Sequence, residues 1–317
     1  MTLAVPSGAV DAARAAEVLR RLELTITRRL DGILAGDHLG LLPGPGTEPG
    51  ESRAYEVGDD VRRMDWNLTA RTTVPHVRDP VADRELELWA VVDRSASLAF
   101  GTARCEKRDL ALAAVAAAGF LVVRGGNRVG GLLVGPGGAV RVPARAGRTA
   151  LLALLRRMQA APRADDTGTV DLAGALDGLA RVCRRRGLVV VVSDFLAPPG
   201  WEGALRALAR RHQVLAVEVV DPRELELPSV GHLTVVDPET GDRRQVATGR
   251  GSLRARYAEA AGAERAAHAA VIAAAGADHL VLRTDRDWLD DLVRFVVAAR
   301  RRRSASAVRS SASGRPR

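Results

Sequence analysis

Asp93, Ser95 and Ser97 stand at alternate positions directly after the strand-like stretch Leu86–Val92, and each carries side-chain oxygen. Alternate side chains of an extended segment point to one side, so a carboxylate and two hydroxyls can converge there. Two other loops offer the same chemistry. Asp165-Asp166-Thr167-Gly168-Thr169 precedes a helical pattern, and Ser193-Asp194 ends the run Leu188–Val192. Asp93, Ser95, Ser97, Thr169 (with Thr167 two residues away) and Asp194 thus make an all-oxygen set of low charge. Such a set suits a hard divalent cation, Mg²⁺ first and Mn²⁺ or Ca²⁺ as alternatives; the absence of soft ligands disfavours zinc and copper. The same residue types cap helices and form turns, so Asp-x-Ser-x-Ser alone also fits a local capping cluster. Placement at the ends of buried strands favours the cation.

The elements that must position these residues alternate along the chain. A helix is expected over Val10–Leu22, a Gly/Pro-dense loop over Gly36–Gly50 and an irregular charged stretch over Arg53–Arg78. Strand Leu86–Val92 then leads to helix Lys107–Val123, strand Arg128–Val134, a short segment Ala139–Val142, and helices Thr149–Gln159 and Asp171–Arg186. The β-branched run Leu188–Ser193 follows, then helix Gly203–Arg211, strand Gln213–Val220 and a hairpin between Leu225 and Gly249 that turns at Pro238–Asp242. Helix Leu253–Ala275, strand His279–Leu282 and helix Asp287–Arg302 complete the pattern. Strands alternating with helices predict an α/β fold with a doubly wound, mostly parallel sheet flanked by helices. Ligands on such sheets bind beyond the carboxyl ends of the strands, where Asp93 and Asp194 fall. The expected organisation is an N-terminal helix and charged segment over 1–85, the α/β domain over 86–299 and a disordered Arg/Ser-rich tail over 300–317.

Asp93-Arg94-Ser95-Ala96-Ser97, Gly168-Thr169 and Val189–Val192-Ser193-Asp194 resemble the metal-ion-dependent adhesion site of von Willebrand factor A domains. The resemblance implies that the serines and threonine coordinate Mg²⁺, that the aspartates act directly or through water, and that a partner's acidic side chain takes the remaining position. A longer string covers roughly residues 24 to 194. Gly44-Pro45-Gly46-Thr47-Glu48, Arg53-x-Tyr55-x-x-Gly58-Asp59-Asp60-x-Arg62-Arg63-Met64-Asp65-Trp66-Asn67-x-x-Ala70-Arg71 and Val77-Arg78 resemble the signature of the domain of unknown function 58 family. Pro49 and Leu98 depart from that signature, which usually has an aromatic or Leu and a Met there. The resemblance implies a bacterial cytoplasmic protein that works with a MoxR-type AAA+ ATPase in chaperone-like assembly or maturation of a client. Arg62, Arg63 and Arg71 are the candidate docking residues for such a partner. Interleaved with Asp59, Asp60 and Asp65, they also fit an internal charge network that fixes the segment to the domain. Trp66 and Tyr55 are expected to anchor it in the core.

Composition bounds the alternatives. Of the formal charge of +9, residues 300–317 supply +7 through seven arginines and no acid, which leaves +2 for the rest of the chain. A terminal basic run rich in Ser, Ala and Gly reads as a solvated tail, with nucleic-acid binding as the rival. Aromatics make up only 3%, so the core must be aliphatic. Cys105 and Cys183, expected in helices, are too isolated for a zinc site or disulfide framework. Residues 1–16 lack a signal-peptide pattern and Leu110–Val123 is too short to span a bilayer, so a cytoplasmic setting is expected. No Gly-x-x-x-x-Gly-Lys motif and no Gly-x-Ser-x-Gly elbow occur. A haloacid dehalogenase-like phosphohydrolase would need an acid where Ser95 stands and a lysine at a later strand end, whereas the only lysine, Lys107, opens the helix after the motif. The six histidines are scattered, with His268 and His279 expected as surface or packing residues. The expectation is therefore a non-enzymatic, cation-dependent adaptor.

Overall fold

The computed structural model describes residues 16–28, 52–56, 60–61, 64–78, 86–123, 126–161 and 168–313. A six-stranded sheet organises them. Its strands are β3 (Glu87–Asp93), β4 (Arg128–Gly135), β5 (Gly138–Ala146), β6 (Gly187–Ser193), β7 (Gln213–Val220) and β10 (Asp278–Arg283), in the spatial order β10-β7-β6-β3-β4-β5. All neighbours are parallel except β4 and β5. The α/β, doubly wound arrangement expected from the alternation is the one observed.

Each face of the sheet carries its own aliphatic core. On one side Leu88, Ala90 and Val92 pack with α3 (Lys107–Val123), α4 (Arg148–Ala160) and α9 (Trp288–Ser313). Leu19 and Ile26, from the helix α1 over residues 16–28, belong to the same core. Arg148 clamps Glu23 of α1 with two bonds of 2.6 Å. The described N-terminal helix is therefore part of the main body. On the other side Trp89 and Val91 pack with α5 (Leu172–Val182), α6 (Trp201–Ala209) and Ile272 of α8 (Gly251–Ala274). Val189–Val192 of β6 are fully buried, as a strand covered on both faces requires, and each such side chain contributes about 1.5–3 kcal/mol. Residues 110–122 of α3 are all buried, which explains the Ala-rich sequence of this helix: small side chains let it nestle among neighbours on every side. At Gly119 an added Cβ would lie 2.3 Å from Leu151 Cδ1, so α3 and α4 meet through that hydrogen.

Several elements differ from the sequence expectation. The stretch expected to be irregular contains an antiparallel pair, β1 (Ser52–Ala54) with β2 (His76–Arg78), and a helix α2 (Trp66–Thr72). Asp65, not Trp66, is its anchor: the buried Asp65 carboxylate caps α2 through Leu68 N, while Trp66, as the first helical residue, points outward and is 68% exposed. Tyr55 is half-buried. The short 139–142 segment is a nine-residue edge strand, β5. Helix α5 stops at Val182, so Cys183 is its C-cap, and Cys105 lies in a bend before α3. Helix α9 continues to Ser313, through most of the segment expected to be disordered. An Ala/Ser/Arg run has adequate helix propensity, and extending a helix already nucleated on the sheet avoids the cost of starting one. The Gly36–Gly50 loop lies outside the described residues. No helix among them is long and apolar enough to cross a membrane.

Candidate cation site

The strand order reverses between β3 and β6. From β3 the chain moves to β4 and β5 on one side, then returns to build β6, β7 and β10 on the other. The carboxyl ends of β3 and β6 thus frame the switch-point crevice where ligands of such sheets bind. Val92 is in register with Val192, so Asp93 and Ser193-Asp194 emerge side by side. After Asp93 the chain turns through a 3₁₀ segment, Ala96–Ala99, which folds Ser95 and Ser97 back over the strand ends.

Four of the five residues expected to converge do so. Asp93 Oδ1 accepts from Ser95 N at 2.8 Å, and Asp93 Oδ2 accepts from Ser193 Oγ at 2.6 Å. The Ser95 and Ser97 hydroxyls are 2.9 Å apart, and Ser97 Oγ donates to Asp194 Oδ2 at 2.6 Å. Asp93, Ser95, Ser97 and Asp194 are all at least nine-tenths buried. Thr169 sits at the same rim, beside Gly168, whose Cα faces Pro136 in the turn after β4. It is exposed, however, and no hydrogen bond among the described residues joins it to the other four. Thr167, Asp165 and Asp166 lie outside the described residues, as do the docking candidates Arg62 and Arg63. Arg71 is exposed in the last turn of α2.

Lys107 corrects the sequence reading most sharply. The chain's single lysine lies far from Asp194 in sequence and opens the helix after the motif, yet its Nζ donates to Asp194 Oδ2 at 2.8 Å and to Glu224 Oε1. It is fully buried. The fold places the first turn of α3 directly behind the strand ends, a proximity that spacing along the chain does not reveal. Glu224 belongs to α7 (Pro222–Leu225), where it completes a capping box by accepting from Asp221 N.

The charges of the two aspartates are set differently. Burial pushes the Asp93 carboxyl up to about 6, the neighbouring Asp194 adds to the rise, and the bonds from Ser193 and Ser95 only partly offset it. Burial also pushes Asp194 up, but the Lys107 ammonium, with bonds from Lys107 and Ser97, outweighs it and holds this carboxyl below its ordinary value. Lys107 itself is held above its usual value, since its two carboxylates outweigh the burial that opposes its charge. One aspartate is thus neutralised from behind, and the other has no counter-charge among the described residues.

A hairpin overhangs the site. Strands β8 (His232–Val236) and β9 (Arg243–Ala247) pair antiparallel, and Asp237 shapes their turn by accepting from Glu239 N and Thr240 N. Every residue from Asp237 to Asp242 is exposed except Glu239, which is half-buried. Asp237 and Pro238 of this turn share one cleft with Ala96 and Ser97 of the cation loop, and burial, then the charges of Asp194 and Asp93, push the Glu239 carboxyl up to about 6.

A second buried polar cluster stands beside the first. Glu218 of β7, in register with Ser193, accepts from Arg265 Nη1 at 2.8 Å and pairs with His279 Nε2 at 2.9 Å, and His268 Nδ1 lies 3.5 Å away. His279, expected as a surface or packing residue, is therefore a polar partner of a buried acid, whereas His268 does pack, its ring set edge-on against Trp201. Arg265 also donates to Asp194 O at 2.9 Å and so links the two clusters.

The donor set fits a hard cation. It offers two hydroxyls with free lone pairs and a carboxylate that burial, then the charge of Asp194, pushes up. Among the described residues no group of three or more His, Cys, Asp or Glu is placed to hold a metal ion, so a site here relies on the serine hydroxyls.

Comparison with known proteins places the chain among relatives. It is 56% identical to the uncharacterized protein Rv1480 of Mycobacterium tuberculosis over 294 residues, 93% of this chain and 92% of that one. It is 50% identical to the uncharacterized protein MAV169 of Mycobacterium avium over 161 residues, 51% of this chain and 95% of that one. Among solved structures it is similar to BatB from Bacteroides thetaiotaomicron, at 13% identity and a TM-score of 0.40, over 68% of this chain and 99% of that one. It is also similar to the SpRpn10 VWA domain, at 12% identity and a TM-score of 0.36, over 66% of this chain and 93% of that one. The model of the family described as "Protein of unknown function DUF58" matches residues 51–267, and the chain belongs to that family.

Proposed function

We propose that this chain is a non-catalytic, cation-dependent protein-binding module. Ser95 and Ser97, with Asp93 and Asp194 directly or through water and Thr169 from the adjacent loop, would hold Mg²⁺ or a similar divalent ion. Bound there, the ion supplies a Lewis-acidic position for a carboxylate of a protein partner. A MoxR-type AAA+ ATPase or its client is the partner we favour, with Arg62, Arg63 and Arg71 as candidate docking residues. The observation that carries this reading is the pairing of Asp93 and Asp194 at the switch point, bridged by two serine hydroxyls, with Asp93 short of positive charge. The chain's own residues have clear parts. Ser193 and the Ser95 amide orient Asp93, while Lys107 fixes Asp194 from behind.

A phosphohydrolase is less well supported. Lys107 touches the second aspartate, but it is sealed from solvent, and Ser95 stands where that chemistry needs an acid. Calorimetric titration with Mn²⁺ or Mg²⁺ tests the binding reading. Asp93→Ala should weaken cation binding on the order of 100-fold and abolish Mg²⁺-dependent retention of the ATPase, with an unchanged circular dichroism spectrum. Equal retention in chelator would sink the idea, and Mg²⁺-dependent turnover of a phosphate ester lost in Asp93→Asn would favour the enzyme.

A further inference from the structure

We propose that the cleft between the β8–β9 hairpin and the loop after β3 is a docking groove for a peptide segment that carries both apolar and acidic side chains. The inference deepens the reading of the cation site, on which it rests, by naming the chemistry of what that site faces. The cleft encloses about 1100 Å³ and is bounded on one side by Ala96 and Ser97 of the cation loop. Such a volume is at or above the upper end of small-molecule pockets, which run to roughly 1000 Å³. Its walls come from four elements and are aliphatic or aromatic: Leu227 after α7, Leu233 and Val235 of β8, Val246 of β9, and Leu253 and Tyr257 of α8. Val235 and Tyr257 remain 40% and 36% exposed, an apolar surface left open among the described residues.

Charge sets the second requirement. Arg223, Arg244 and Arg256 line the cleft from three different elements and are exposed. No carboxylate among the described residues pairs with them. The lining acids are mostly committed elsewhere: Glu224 to Lys107 and the Asp221 amide, and Asp237 to the amides of its own turn. Asp242 is the third lining acid, and none of the three forms an ion pair with these arginines. Three guanidiniums without a carboxylate, set among apolar walls, suit an occupant with separated anions and apolar bulk, which a peptide supplies and a single fatty-acid headgroup does not. Strands β8 and β9 pair only with each other among the described residues, so an open strand edge can also receive the backbone of an extended segment.

The test is fluorescence polarisation with the full chain and a labelled synthetic peptide alternating Leu and Glu, in Mg²⁺ and in chelator. Its counterparts replace Glu by Gln or Leu by Ser. Both should bind at least about ten-fold more weakly, as should the parent peptide to Arg223→Ser/Arg244→Ser and to Val235→Asp, whose exposed positions leave the fold intact. Absence of binding to the wild type, equal binding of both counterparts, unchanged affinity in both variants, or preference for oleate with the peptide excluded would each overturn the groove. The cation reading fails separately. Binding that survives chelator and Asp93→Ala but falls in the arginine variant keeps the groove and removes the cation's grip; the converse removes the groove and leaves the cation.

Discussion

Two buried acids on strands flanking β6 meet opposite fates. Glu218 receives Arg265 and His279 within hydrogen-bond distance and has His268 close by, and these partners outweigh burial and hold its carboxyl below the ordinary range. Asp93 receives only hydroxyl and amide bonds, and burial with Asp194 pushes it up to about 6. Both acids face the cost of leaving water. The compensated cluster is a fastening, complete within the chain. The other has no cationic partner among the described residues, and its loop borders a cleft through Ala96 and Ser97.

That contrast can be broken most forcefully at Glu218. Glu218→Leu leaves Arg265 and two histidines without their acid and should cost about 3–5 kcal/mol in urea unfolding, while cation affinity stays unchanged. Next comes Lys107→Met, which removes the charge behind Asp194. In chelator it should cost about 2–4 kcal/mol, with part of the loss restored by Mg²⁺. A Tm indifferent to Lys107 would place that lysine outside the site's electrostatics. Asp93→Asn should act with the opposite sign, stabilising the chelated chain at neutral pH by about 1–3 kcal/mol and removing cation binding.

The pH dependence sharpens the same comparison. Glu218 has a lowered pKa in the fold, so its contribution is present above its ordinary value of 4.5 and disappears as pH falls. Asp93 has a raised one, so its penalty is full above about 6 and fades as pH falls toward 3.8. The Asp93→Asn advantage should therefore shrink between pH 7 and 4, whereas the Glu218→Leu deficit should shrink only in more acid solution. The smallest effect concerns Glu239. Titrated by carbon-detected NMR, its pKa should fall when Mg²⁺ neutralises the field of the two aspartates, and a static value would place the hairpin turn beyond the ion's reach.

Much of this arrangement is legible in the sequence, for identifiable physical reasons. Val189–Val192 reads as a doubly covered strand because a continuous β-branched run suits a position with no solvent face, and Asp93 and Asp194 follow from where such strands end. Residues whose role depends on distant partners are not legible. Lys107 and Glu218 each sit in an ordinary helical or strand pattern, and only the packing of α3 and α8 against the strand ends gives them partners. His279 escapes the sequence for the same reason. Trp66 fails differently: a lone tryptophan suggests a core, but the cap made by Asp65 fixes the start of α2 and turns the indole outward. Asp237–Asp242 carries a clear turn signal, and the turn is there, yet such a signal holds no information about what the hairpin overhangs.

Glu224 lines the cleft, and the same carboxylate holds Lys107, which in turn holds Asp194. Three side chains thus form a continuous mechanical and electrostatic path from the hairpin's base to the strand tips. An occupant that drew Glu224 away would leave the ammonium to Asp194 alone, so a change at the cleft would be felt at the strand tips. Were both an ion and an occupant to bind, reciprocity would require each to change the other's affinity by the same factor, through one buried ammonium.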